Sequence, residues 1–185
     1  MPGVEPLSKD TVPDGLIEVM RTERGTQSQS EYSLSTRFPE PGLLQKTKQL
    51  ETAFVAFSPV GRGLLTDKPP SPERVKESPF LSINPRFQEP NLSENIKAVK
   101  GFQKLARDYQ LSAAGLAIAW LLAKDEHIIP IPGTRSTTHL KEMIKGAEKK
   151  LSQSDLLTIE KTIPVGWAHG DRYSDIQWIG PEKYC

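Results

Sequence analysis

The sequence predicts an α/β fold built on parallel strands, and three observations lead there. Short apolar or alternating segments suited to strands recur at residues 29–34, 54–57 and 128–131. Each is followed by helical patterning, in the order strand–helix, strand–loop–helix–helix, strand–helix–helix, and such alternation implies parallel strands joined by right-handed crossovers. Finally, the second and third strands each run into a glycine turn that carries an arginine, Ser58-Pro-Val-Gly-Arg-Gly63 and Gly133-Thr-Arg135.

In chain order, residues 1–28 read as an irregular extension interrupted by Pro2, Pro6 and Pro13, with only Leu16-Ile-Glu-Val-Met20 able to form a turn or two of helix. The folded part is expected over residues 29–185. Gln29-Ser-Glu-Tyr-Ser-Leu34 reads as the first strand, followed by a Pro39/Pro41 turn and a helix from about Gly42 to Gln49. Phe54-Val-Ala-Phe57 is apolar throughout, as a buried parallel strand requires. From Pro59 to Pro90 the chain holds seven prolines, which predicts a long loop without regular structure, arching over a site at the strand's carboxyl end.

Asn91 with Glu94 resembles a capping box opening an amphipathic helix whose apolar side is Ile96, Val99, Phe102, Leu105 and Ala106. Ser112 caps the next helix, residues 113–124, whose Leu116, Ala117, Trp120 and Leu121 make it the more buried. Ile128, Ile129 and Ile131 are apolar on both faces, as a strand covered on both sides needs; Pro130 and Pro132 keep it short. Ser136 occupies an N-cap position, and Leu140, Met143, Ile144, Ala147 and Leu151 then mark the expected buried face of a helix. Ser152 to Asp155 opens a last helix with Leu156, Ile159 and Ile163 inside. The irregular tail carries Trp167, Tyr173, Trp178 and Tyr184 and is expected to pack on the surface.

The turn at Gly133-Thr134-Arg135 lies where a strand ends and a helix begins. Free backbone N–H groups and the helix dipole there attract an anion, and the adjacent guanidinium suits phosphate. Such junctions are also common in α/β proteins that bind nothing; the competing reading of Arg62 is a solvated loop charge, and that of Phe57 is plain core. No Walker loop and no G-x-G-x-x-G follows any strand.

Composition narrows the classes. A chain of 185 residues is most simply one domain and can bury roughly 70% of its unfolded surface. A formal charge of +1 gives no case for a nucleic-acid or anionic-membrane partner. No apolar run approaches the ~20 residues that span a bilayer. Cys185 is the only cysteine, so a cytoplasmic setting is the expectation; His127, His139 and His169 are too scattered for a metal motif, so no metal site is expected.

Three stretches together resemble the aldo-keto reductases: Gln29-Ser-Glu-Tyr-Ser-Leu34, Phe54-Val-Ala-Phe-Ser-Pro-Val-Gly-Arg-Gly-Leu-Leu-Thr66, and Ile129-Pro-Ile-Pro-Gly-Thr-Arg-Ser136 continuing through His139-Leu-Lys-Glu142. The helix at 113–124, with its Trp-Leu pair, also fits. The resemblance implies part of an eight-stranded (β/α)8 TIM barrel, these being its sixth, seventh and eighth strands, with the site at their carboxyl ends. It further implies NADP(H)-dependent reduction of a carbonyl to an alcohol, with a small-molecule aldehyde or ketone as partner. Carried over position by position, Gln29 meets the nicotinamide amide and Phe57 stacks on its ring. Ser58, Pro59, Val60 and Arg62 follow the pyrophosphate; Gly133, Thr134 and Arg135 hold the 2′-phosphate, which suits a guanidinium fork. His139 and Glu142 sit by the adenine.

Two departures accompany the resemblance. Met143 stands where the family has an Asn contacting adenine. The family's catalytic Asp, Tyr, Lys and His belong to its first four strands, which have no counterpart here, so no catalytic residue is assigned. The alternatives are therefore a catalytically silent NADP(H)-binding module or a truncated remnant. Three strands also cannot close a barrel, so the open sheet edges need a cover: the first 28 residues, self-association with a second copy of the chain, or a missing partner half.

Overall fold

A computed structural model of the chain describes residues 27–178. The turn of helix expected at residues 16–20, together with Tyr184 and Cys185, lies outside them. Three parallel strands, β1 (Gln27–Glu31), β2 (Ala53–Phe57) and β3 (Ile128–Ile131), form one sheet in sequence order. Among the described residues six α-helices accompany them: α1 (Leu43–Gln49), α2 (Pro72–Glu77), α3 (Asn91–Asp108), α4 (Ala113–Lys124), α5 (Thr137–Glu148) and α6 (Gln153–Thr162). This is the α/β class expected, arranged as part of a TIM-barrel-like fold.

The register decides what each face does. Ser28, Phe54 and Ile128 stand side by side, as do Ser30, Ala56 and Pro130. Phe54, Ala56 and Ile128 are buried in the main core with Trp120, Leu116, Phe102 and Val99. On the opposite face, Gln29, Val55 and Ile129 form one row and Glu31, Phe57 and Ile131 the next. Here Ile129 and Ile131 are about half exposed, so β3 is covered on one side only, contrary to the expectation of burial on both.

Helix starts follow their caps. Ser112, Ser136 and Ser152 each accept a bond from the N–H three residues on, and Ser152 with Asp155 completes a capping box. Two expectations fail. Asn91 is the first residue of α3 and not its cap: its side chain donates to Pro85 O, and Glu89 receives the Ser93 N–H instead. The proline-rich segment also holds a helix, α2, because Pro72 falls at its first position with Ser71 capping, where a missing N–H costs nothing. The first strand likewise starts at Gln27 and ends at Glu31, since Tyr32 to Thr36 turn away through a Ser33–Thr36 bridge.

The largest departure is the orientation of α5. Met143 and Gly146 are buried, whereas Leu140 and Ile144 remain about half exposed. Gly146 lies against the backbone of Gly115 in α4, so close that a side chain there would overlap it. Close approach of two glycines, not apolar periodicity, sets which face of α5 turns inward.

An ionic cluster ties the loop between β1 and α1 to α4 and α6 outside the sheet. Arg37 bonds Glu40 and Glu160, and Lys124 and the Trp120 indole also meet Glu160. Tyr32 donates to Glu40 at 2.8 Å; burial first, and the Glu40 charge second, push its phenol far above the ordinary range. Among the described residues, no helix is long and apolar enough to cross a membrane.

Candidate functional site

Two turns emerge side by side at the carboxyl ends of β2 and β3, because Phe57 and Ile131 are paired in register. The first is unusual in backbone. Ser58, Gly61, Arg62 and Gly63 have φ of 52°, 57°, 54° and 96°. A Cβ on Gly61 would lie 2.7 Å from Ser35 Oγ, so glycine is required there. Ser58 and Arg62 pay for left-handed backbone, roughly 1–3 kcal/mol each, which persists only where the surroundings enforce it. The fully buried Leu64 and Leu65 anchor the turn, and Gly61 N–H bonds to Ser58 O at 2.8 Å.

The Arg62 side chain points inward. Its Nη2 donates to Glu31 Oε2 at 2.7 Å and its Nη1 to Arg172 O at 3.0 Å. It lies 4.5 Å over the Tyr173 ring and 5.1 Å from that of Phe80, with 10% of the side chain exposed. Glu31, fully buried, also accepts from Thr36 Oγ1 at 3.0 Å and faces Arg86 at 3.8 Å. Burial pushes Arg86 down to about 10, opposed by the Glu31 charge and assisted by Arg62 and Arg172. Glu31 was missed as a functional candidate. The available signal was a carboxylate in a strand position next to buried residues, which needs a cationic partner.

The second turn is open. Gly133, Thr134, Arg135 and His139 are all exposed, and Glu142 is half-buried. Thr134 Oγ1 accepts the Ser136 N–H at 3.1 Å, and Ser136 Oγ accepts that of His139 at 3.4 Å. Thr137 and Thr138 open α5, so their N–H groups have no intrahelical carbonyl to reach. Arg135 forms no ion pair among the described residues. At Gly133 neither a left-handed φ nor crowding demands glycine: an added Cβ would meet nothing within 4 Å. The turn is exposed at Gly133, Thr134 and Arg135, and its donor set suits a phosphate.

The remaining candidates sit between these extremes. Gln29 is exposed on the uncovered sheet face, and Phe57 at the end of β2 is half-buried. Ser58 and Val60 are half-buried, Val60 packing on both core clusters, and Pro59 is buried. The structure thus places Phe57, Ser58 and the Gly133–Arg135 turn at the carboxyl ends of adjacent strands, with Gln29 in the middle of β1, in register with Val55. It turns the Arg62 side chain toward Glu31 and the tail instead.

Known proteins carry the same pattern. The family model described as Aldo/keto reductase family matches residues 24–164. A probable aldo-keto reductase of Glycine max is 36% identical over 148 residues, covering 80% of this chain and 42% of the relative. An aldo-keto reductase of Schizosaccharomyces pombe, with NADP(+) in its name, is 32% identical over 144 residues, 78% of this chain and 42% of the relative. Among solved structures, a glycerol dehydrogenase from Gluconobacter oxydans superposes with a TM-score of 0.68 at 21% identity, covering 81% of this chain and 46% of that one. The chain therefore spans less than half the length of these relatives. Sequence pattern and fold agree, and the chain belongs to the aldo/keto reductase family.

Proposed function

We propose that this chain carries the NADP(H)-holding loops of an aldo-keto reductase, and that the whole enzyme reduces an aldehyde or ketone to an alcohol. The observation that carries this reading is the open Gly133–Arg135 turn at the start of α5, with an exposed, unpaired arginine beside free helix N–H groups. Arg135 holds the 2′-phosphate with its fork, and Thr134 with the first N–H groups of α5 completes the cradle. Phe57, at the mouth of β2, offers a ring face for the nicotinamide, and Gln29 on the open sheet face holds its amide. His139 and Glu142 flank the adenine. Bound NADPH supplies a hydride; these residues orient it and exclude water from one side.

The proton that carbonyl reduction also needs has no donor assigned in this chain. Tyr32, in the first motif, is fully buried and spends its hydroxyl on Glu40. This favours a second reading, a binding module silent by itself, whose catalytic residues come from the strands that complete a barrel. The outer edges of β1 and β3 would meet such strands or a second copy of the chain, and the single cysteine supports a cytoplasmic setting.

Titration of the purified chain with NADPH, followed by nicotinamide fluorescence with NADH as control, tests the cofactor reading. Saturable binding that prefers NADPH and weakens in Arg135→Ala is expected; equal or absent binding of both dinucleotides would overturn it.

A further inference from the structure

We infer that Arg62 is a positioning residue that buckles the tail, residues 167–178, across the loop after β2, and is not itself a phosphate ligand. The tail is stitched to that loop by bonds that converge on one carbonyl. Arg172 O receives both Arg62 Nη1 and, at 2.7 Å, Asn84 Nδ2. On either side of it, Gln177 Nε2 donates to Phe80 O at 2.8 Å, and Arg86 Nε to Gly170 O at 3.3 Å. Before it, Trp167 Nε1 donates to Leu34 O at 2.8 Å, while Asn95 pairs with both polar backbone groups of His169. Arg62 joins three elements at once, the strained turn it belongs to, Glu31 in β1 and the tail; Arg86 makes a similar link from further along the loop, but at longer distances to Glu31 and the tail.

Its surroundings argue against a role on a polyanion. The guanidinium is already neutralised by a fully buried carboxylate, its ring contacts cover it, and two of its edges are spent. Recruiting it to a phosphate would leave Glu31 buried beside Arg86 with half its charge partners gone. Arg135, on the neighbouring turn, has none of these commitments. The inference builds on the NADP(H) reading in one respect only, namely that Arg135 and not Arg62 carries the phosphate.

The tail offers a direct readout. The Arg172 side chain is almost fully buried, 5% of the residue being exposed, so trypsin can cut after it only when the strap has lifted. In the full chain, Arg62→Met should speed that cleavage on the order of tenfold, through loss of charge-assisted bonds. Arg62→Lys, which keeps the charge on Glu31 but cannot fork to Arg172 O, should give an intermediate rate. Asn84→Ala, which removes the second donor to the same carbonyl, should accelerate it in the same direction and guards against Arg62→Met failing to fold. NADPH affinity should fall by less than about threefold in Arg62→Lys, well short of the loss in Arg135→Ala. Wild-type rates of tail cleavage in both Arg62 variants would overturn the inference. So would an affinity loss in Arg62→Lys equal to that of Arg135→Ala with tail protection unchanged. If the wild-type chain binds no NADPH, the cofactor reading fails and the cleavage rates alone decide the role of Arg62.

Discussion

The turns after β2 and β3 look alike in sequence, each a glycine-bearing loop with one arginine, yet they are opposite in physical state. The first is strained, buried and electrically closed, its Arg62 spent on Glu31 and a tail carbonyl. The second is relaxed and exposed, its Arg135 unpaired beside open N–H groups of a helix. An arginine in a turn thus gives charge but not direction. Direction is set by what else is buried nearby: Glu31 lies at the end of β1 and captures the arginine that reaches it.

The closed turn should therefore respond to loss of stability, and the open one to loss of binding. Glu31→Ala strands Arg62 and Arg86 without their counter-charge, and removing one member of a buried pair costs about 3–5 kcal/mol. Chemical denaturation should show that loss, and a cost under 1 kcal/mol would mean the closed turn is held by packing alone. Gly146→Ala drives a methyl group into the Gly115 backbone where α5 packs on α4. It should cost about 1–3 kcal/mol in the same measurement and displace α5, carrying the open turn with it.

Arg135→Ala sharpens the contrast from the other side. It should leave stability within about 0.5 kcal/mol, as surface changes do. NADPH binding should weaken by about 1.5–3 kcal/mol, the usual range for a bond to a charged group. A melting temperature that falls along with affinity would show that Arg135, too, is structural.

Acid should act on the frame before either turn. A bond from Tyr109 at 2.6 Å, then those from Ser152, hold the Asp155 carboxyl at about 2, below its ordinary 3.8. Despite the opposing effect of burial, bonds from Lys48 and His127 likewise hold Asp125 at about 2. Because both folded values are depressed, their stabilisation is full above about 4 and disappears as pH falls toward 2. Asp155→Asn should flatten the stability profile across that window, and an unchanged profile would assign the acid sensitivity elsewhere. The smallest effect belongs to Ile144→Ser, on the exposed side of α5: within about 0.5 kcal/mol in this chain. A larger loss in an assembled form, with sedimentation showing association, would identify that side of α5 and β3 as covered there.

Local chemistry was legible and long-range partnership was not. The strand at Phe54–Phe57, the serine caps at 112, 136 and 152, and the inward Leu156 and Ile159 follow from short-range rules of pattern and capping. The buried face of α5 was misread because a Gly–Gly contact with a helix some thirty residues earlier outweighed its apolar stripe. Prolines concealed α2, since a proline that starts a helix looks like one that stops it. The direction of Arg62 was the least legible feature of the candidate site. Its two partners are far away in sequence: Glu31 lies in an earlier strand, and Arg172 O lies 110 residues further on, in a tail without a recognisable motif.

The most direct test of the central claim is NADPH and NADH affinity, measured side by side on the wild-type chain and Arg135→Ala. Preference for NADPH that disappears in the variant, with the fold intact by circular dichroism, is the predicted result. A preference that survives the substitution would place the phosphate elsewhere and contradict the assignment of the open turn.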